Sequence, residues 1–181
     1  MKLMKGRPED FSSRAEVERK VYEMLDSLGV EYYRLDHDPA ATMEICQQID
    51  KSLGALICKN LFLSNRQKTE FYLLMMPSTK VFKTKELSKA LGVSRLSFGE
   101  SDTMLSLIGT YSGSASVLGL MNDKDCKVRL VIDEDVLKED YVGCHPCVNT
   151  SSLRIKTEDL VERILPFLNH NFTKVTLVGA D

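Results

Sequence analysis

A lysine interrupts the apolar run Ala55-Leu56-Ile57-Cys58-Lys59-Asn60-Leu61-Phe62-Leu63. The run is apolar on both alternating faces, as in a strand buried on both sides. With a period of two, Lys59 shares a face with Ile57 and Leu61, and Asn60 shares the other with Cys58 and Phe62. Two readings of the lysine stand. Its stem runs along a sheet edge and carries the charge to water, or its ammonium projects into a polar cleft to meet an anion. A second segment with chemical potential is Gly143-Cys144-His145-Pro146-Cys147-Val148-Asn149-Thr150. Its Cys-x-x-Cys spacing is that of a redox dithiol or of half a zinc site. A redox pair needs a following helix to lower the first thiol's pKa, but residues 148–155 read as extended. Zinc needs further ligands, and Cys46, Cys58, Cys126, His37 and His170 do not pair at finger spacing. Two incidental core cysteines flanking a functional His145 are favoured over either. The third segment, Gly113-Ser114-Ala115-Ser116, lacks the Gly-Lys-Ser/Thr of a phosphate loop. Its small residues either allow a backbone to approach a ligand with N–H donors or simply make a tight connection.

The elements that must position these residues follow from patterning. Val17, Val21, Met24, Leu25 and Leu28 mark one face of a helix that Gly29 stops, with Ser13 to Glu16 as its capping box. A short strand over 31–36 ends at His37-Asp38-Pro39, and 42–48 reads as a short helix. The lysine-bearing strand turns through polar residues 64–69 and returns over 70–76 as a hairpin. Helices are expected over 84–91 and 101–108, the second capped by Ser101. Strands are expected over 127–133, 148–155 and 173–178, and Pro166 must end or kink the helix that Thr157 caps. Residues 1–11 read as an N-terminal arm and 12–178 as one domain. The expected class is α/β (α+β), a mixed, curved sheet flanked by helices.

Composition agrees. The chain has 181 residues, 43% apolar and 28% charged, which is ordinary globular composition. A domain of this size buries roughly 70% of its unfolded surface, enough for a core without disulfide staples. Charge is 24 basic against 26 acidic residues, a net −2, so nucleic acid would be held by a local patch and not by wholesale phosphate neutralisation. Lys80, Lys83, Lys85 and Lys89 are a candidate patch, or simply a solvated helix face. Five cysteines, no apolar leader and no run of about 18 apolar residues point to a reducing, cytoplasmic setting.

Taken together these segments resemble the YbaK/ProX family of aminoacyl-tRNA deacylases, free-standing relatives of the editing insertion in bacterial prolyl-tRNA synthetase. Lys59-Asn60-Leu61-Phe62-Leu63 matches the family's Lys-Asn-Leu-Phe-Leu strand. Residues 82–98, ending in Arg95-Leu96-Ser97-Phe98, resemble its helix and the Leu-Ser-Phe segment after it. Gly113-Ser114-Ala115-Ser116-Val117 resembles its Gly-Ser-Val-(Ser/Thr)-Pro loop, with Val117 in place of proline. His145 to Thr150 matches its His-Pro-Leu-Val-Asn-Thr segment. The pattern is most similar to the ProX-like branch.

The resemblance implies a trans-editing hydrolase that cleaves alanine from mischarged proline tRNA. The same fold serves cysteine on proline tRNA or another small amino acid, and a non-catalytic tRNA- or synthetase-binding module is a further alternative. It implies Lys59 as the anchor of the terminal adenosine's phosphate and Gly143, through its carbonyl, as acceptor of the substrate ammonium. His145 would limit the amino-acid pocket, while Asn60 and Asn149 contribute to substrate binding. Gly113 and Ser114 would supply N–H groups to the oxyanion, and water would be the nucleophile. No cofactor and no metal are implied. The expected partners are the acceptor end of mischarged tRNA and prolyl-tRNA synthetase, with no membrane, and nothing in the sequence demands a dimer.

Overall fold

The computed structural model describes residues 1–40 and 42–179. In chain order the elements are β1 (Leu3–Lys5), α1 (Glu16–Ser27), β2 (Tyr32–Asp36), α2 (Met43–Leu53), β3 (Cys58–Ser64), β4 (Phe71–Pro77), α3 (Thr84–Leu91), β5 (Ser97–Phe98) and α4 (Ser101–Ile108). A 3-10 turn (Val117–Asn122) leads to β6 (Val128–Asp133), α5 (Glu134–Leu137), β7 (Tyr141–Cys144) and β8 (Ser151–Lys156). The chain closes with α6 (Thr157–Asp159), a π-turn (Leu160–Ile164), α7 (Leu165–Phe167) and β9 (Phe172–Val175).

The α/β class expected from the sequence holds, and the strands divide between two sheets. One is antiparallel, in the order β1-β2-β8-β7, and the other is mixed, in the order β5-β3-β4-β6-β9. In the mixed sheet β3 and β4 form the hairpin, while β4, β6 and β9 run parallel. Tyr72 to Met76 of β4 are all buried, as a central strand covered on both faces must be. Val21, Tyr22 and Leu25 of α1 join Leu73, Met75, Leu130 and Ile132 in the main core. Leu87 of α3 joins Leu63, Leu74, Met76 and Val131 on the opposite face. A smaller cluster of Leu35, Ile49 and Leu53 seats α2 against β2, with Ile57 packed beside it.

Local departures from the sequence reading have local causes. The capping box at Ser13 does not form: Ala15 holds the N-cap position without a side-chain bond, so Glu16 is the first helical residue and cannot reach back. Ser101 and Thr157 are likewise inside their helices, behind Glu100 and Lys156. Helix α2 runs on past residue 48 because Ile49 and Leu53 continue its apolar face into the core. Residues 3–5, read as part of an arm, pair with β2. Residues 148–150 are not strand: the chain turns at Cys147, with φ of 64°, and β8 starts at Ser151. Ahead of Pro166 the helix widens into the π-turn, since proline brings no N–H to the ladder.

Candidate active site

The two sheets are joined where β3 begins and β7 ends, through a parallel bridge between Ile57 and Gly143. The Gly143 N–H donates to the Leu56 carbonyl at 3.1 Å. A Cβ on Gly143 would stand 2.8 Å from the Leu56 oxygen and 3.0 Å from the Ile57 Cα. Both neighbours are backbone, so neither yields without opening the seam. Gly143→Ala is therefore expected to lower stability by about 1–3 kcal/mol, the ordinary cost of overpacking, read as a melting temperature lower by roughly 3–10 °C. An alanine variant that melts with the wild type would show that the seam widens freely.

Beside this seam lies a cleft of about 320 Å³. Of the residues expected from the sequence, Lys59, Gly113, His145 and Asn149 line it together. Lys59 is half-buried, and its Nζ donates to the carbonyl of Lys80 at 2.6 Å. That carbonyl is itself held. The Lys80 ammonium lies 2.9 Å from the buried Asp133 and 2.7 Å from Asp135, which together raise its affinity for the proton against the cost of burial. Lys80 thus leaves the basic face expected of residues 80–89, and Lys83, Lys85 and Lys89 surround a surface concavity with Arg95.

His145 comes from the loop after β7. Its Nδ1 lies 2.8 Å from the Ser151 carbonyl, an acceptor only, so Nδ1 carries the hydrogen and Nε2 is left as an acceptor. Burial lowers the imidazole's pKa, with a further small push from His37, and the bond to Ser151 only partly opposes them. The ring is therefore neutral near pH 7. His37, whose ring centroid is 6.3 Å away, lies 2.8 Å by Nε2 from the Ser152 hydroxyl. Beneath both histidines, the Ser151 hydroxyl donates to Asp36, which also accepts from Arg14 at 2.9 Å and from the buried Arg34. Burial alone would raise the Asp36 carboxyl, but the bonds from Arg14, Ser151 and Arg34 outweigh it and hold the group well below the usual carboxylate range.

Other expected residues sit elsewhere. Gly143 is buried in the seam and is not among the lining residues. Nor is Asn60, whose Nδ2 donates to the Cys58 carbonyl at 3.2 Å while its buried Oδ1 has no partner. The Ser114 N–H is taken by the Tyr111 carbonyl at 3.0 Å, and its hydroxyl by the same residue. That leaves Gly113, at φ of 88° with open space around it, as the loop's cleft-lining residue. Cys58 and Cys147 have thiols pushed up to about 12 by burial, and the buried Cys144 is raised in the same way. Burial thus disfavours the thiolate in the Cys144/Cys147 pair, and the element that follows is β8, not the helix a redox pair uses. Among the described residues no three His, Cys, Asp or Glu side chains gather to hold a metal. No helix there is long and apolar enough to cross a membrane.

His37 and Asp50 also line the cleft, and the sequence patterning does not single out either for this site. His37 carried a faint signal, standing at a strand end ahead of Pro39. Asp50 carried none, since on an amphipathic helix it resembles any other polar-face residue.

The sequence pattern of the aminoacyl-tRNA editing domain matches residues 37–162, most of the chain, and the chain belongs to that family. It is an aminoacyl-tRNA deacylase, a hydrolase whose substrate is charged tRNA. The chain is 28% identical over 162 residues to the prolyl-tRNA editing protein ProX of Acetoanaerobium sticklandii, covering 90% of this chain and 98% of that one. It is 28% identical over 152 residues to the mouse prolyl-tRNA synthetase associated domain-containing protein 1, covering 82% and 87%. Its fold is similar to the crystal structure of a candidate trans-editing enzyme for prolyl-tRNA synthetase, with a TM-score of 0.65 at 15% identity over 90% of this chain and 98% of that one.

Proposed function

We propose that the protein removes alanine from mischarged proline tRNA, in trans and alongside prolyl-tRNA synthetase in the cytoplasm. The observation that carries this reading is the lining of one cleft by Lys59, Gly113, His145 and Asn149. The names of two relatives, a prolyl-tRNA editing protein and a synthetase-associated domain, support the choice of tRNA. A synthetase pocket shaped for proline excludes a smaller side chain by only about 1–3 kcal/mol, so a second, smaller site must destroy the wrong ester.

In this reading Lys59, its rotamer held by the Lys80 carbonyl, seats the phosphate of the terminal adenosine as a point charge. The ester then lies between His145 and the Gly113 loop. Neutral His145, with Nδ1–H fixed on Ser151, offers Nε2 to the attacking water or the ribose hydroxyl and bounds the amino-acid pocket. The Gly113 N–H faces the developing oxyanion; one such donor is worth about 2.7–4 kcal/mol in a transition state. Asn149 contacts the substrate from the cleft rim, with Asn60 supporting the wall behind it. Gly143 works as the spacer that sets β7, and hence His145, against β3. His145→Ala opens the pocket. Hydrolysis of proline-charged tRNA relative to alanine-charged tRNA is expected to rise about 10-fold or more, the worth of a methylene or two of lost exclusion. An unchanged ratio across alanine, serine, cysteine and proline would remove His145 as the size filter.

A further inference from the structure

The substrate of this cleft carries opposite charges at its two ends, a phosphate and the amino acid's α-ammonium. Lys59 answers the first. For the second the strongest match is a charged acceptor, a carboxylate. His37 is committed through both ring nitrogens, Nδ1 at 2.8 Å from the Asp38 carbonyl and Nε2 at 2.8 Å from the Ser152 hydroxyl. Gly143 is not among the residues that line the cleft. Asp50, half-buried on α2, is the one carboxylate among the described lining residues. Its Oδ1 accepts the Ile57 N–H at 3.1 Å, which fixes the carboxylate two residues before Lys59. Among the described residues no cation lies within ion-pair distance of it, and it makes no bridge to Lys59 in the same cleft. Burial raises this carboxyl, and the single bond from Ile57 offsets only part of that cost. An unneutralised carboxylate and an unneutralised ammonium that share one small cleft without pairing are poised for a ligand bearing both complementary charges.

We propose that Asp50 binds the α-ammonium group of the aminoacyl ester, as the negative pole of a cleft whose positive pole is Lys59. This rests on the editing reading above and adds a requirement to it: the substrate must present a free, protonated amine. N-blocked esters, such as N-acylated aminoacyl-tRNA or the ester of a peptide chain, are then poor substrates. The site thereby spares tRNAs whose amino acid has already been blocked or built into a chain.

The test compares alanyl-tRNA with N-acetyl-alanyl-tRNA, using the wild type and Asp50→Asn in the full chain. Each rate is divided by its uncatalysed hydrolysis rate, because acetylation alone changes the ester's reactivity. Asparagine keeps an oxygen for the Ile57 N–H, and the melting temperature reports whether the fold is retained. The wild type is expected to prefer the free amine by roughly 10- to 100-fold, the weight of a charge-assisted hydrogen bond, and Asp50→Asn to bring that preference near unity. Equal loss on both esters would assign Asp50 to the water or to the fold and overturn the proposal. So would a preference that survives the substitution. A wild type indifferent to acetylation overturns it without any variant, and a wild type that cleaves neither ester overturns the editing reading itself.

Discussion

Lys59→Ala is expected to fold as the wild type does and to lose about two orders of magnitude in kcat/KM on mischarged tRNA. Lys59 is the second residue of β3, half-buried, with its ammonium bonded to a single carbonyl. Its removal empties a cleft wall and leaves the Lys80 carbonyl free to take a water, so stability should move little. Catalysis is another matter. In the proposed reaction the ester is positioned by holding the adenosine end, and a displacement of about 1 Å at the reacting carbon costs on the order of 100-fold. Lys59→Arg should recover little, because a planar fork cannot reproduce one directed N–H bond and one compact charge in the same place. Single-turnover hydrolysis with matched thermal melts checks this. Turnover near the wild-type rate by the alanine variant would exclude the anchoring role.

The second large effect is structural and reaches the site from below. Asp36 ties Arg14, Arg34 and the Ser151 hydroxyl together, and the Ser151 carbonyl orients His145. The Arg34 side chain is 1% exposed, so Asp36→Asn leaves a buried cation without its counter-charge. A fully buried pair broken this way costs about 3–5 kcal/mol; because the Asp36 side chain is 39% exposed, water screens part of the loss, and we expect roughly 2–3 kcal/mol. That is a melting temperature lower by about 5–10 °C at pH 7. The pH dependence follows from the direction of the shift. The folded-state carboxyl is held below its unfolded value of about 3.9, so its contribution is complete above that pH and fades as pH falls toward the folded value. The gap between wild type and variant should therefore narrow below pH 4. A gap that is constant from pH 7 to pH 3, measured by thermal melts, would mean that Asp36 stabilises the fold by shape and not by charge.

The sequence announces some of this site and conceals the rest for identifiable reasons. Lys59 is conspicuous because a charge interrupts a two-faced apolar strand. His145 is legible through the segment that follows it, and Gly113 through its run of small neighbours. The groups that orient them are backbone carbonyls, of Lys80 and Ser151, and a carbonyl leaves no mark on a sequence. Asp50 and Asp36 look like ordinary polar residues until the fold brings α2 beside β3 and β2 beside β8. The hairpin β3–β4 is local and was readable. The parallel pairing of β4 with β6 and the seam at Gly143 join segments more than fifty residues apart, and no local period encodes them. For the same reason the sequence pattern implies a single mixed sheet where the chain builds two.

In the proposed reaction the cation of β3 and the imidazole after β7 work on one ester bond. The most direct measurement is release of radiolabelled amino acid from proline tRNA charged with alanine or with proline, by the wild type and by Lys59→Ala. Rapid release of alanine, little release of proline, and loss of the alanine signal in the variant are expected. Release of neither amino acid by the wild type, or equal release by both proteins, would contradict the proposed reaction.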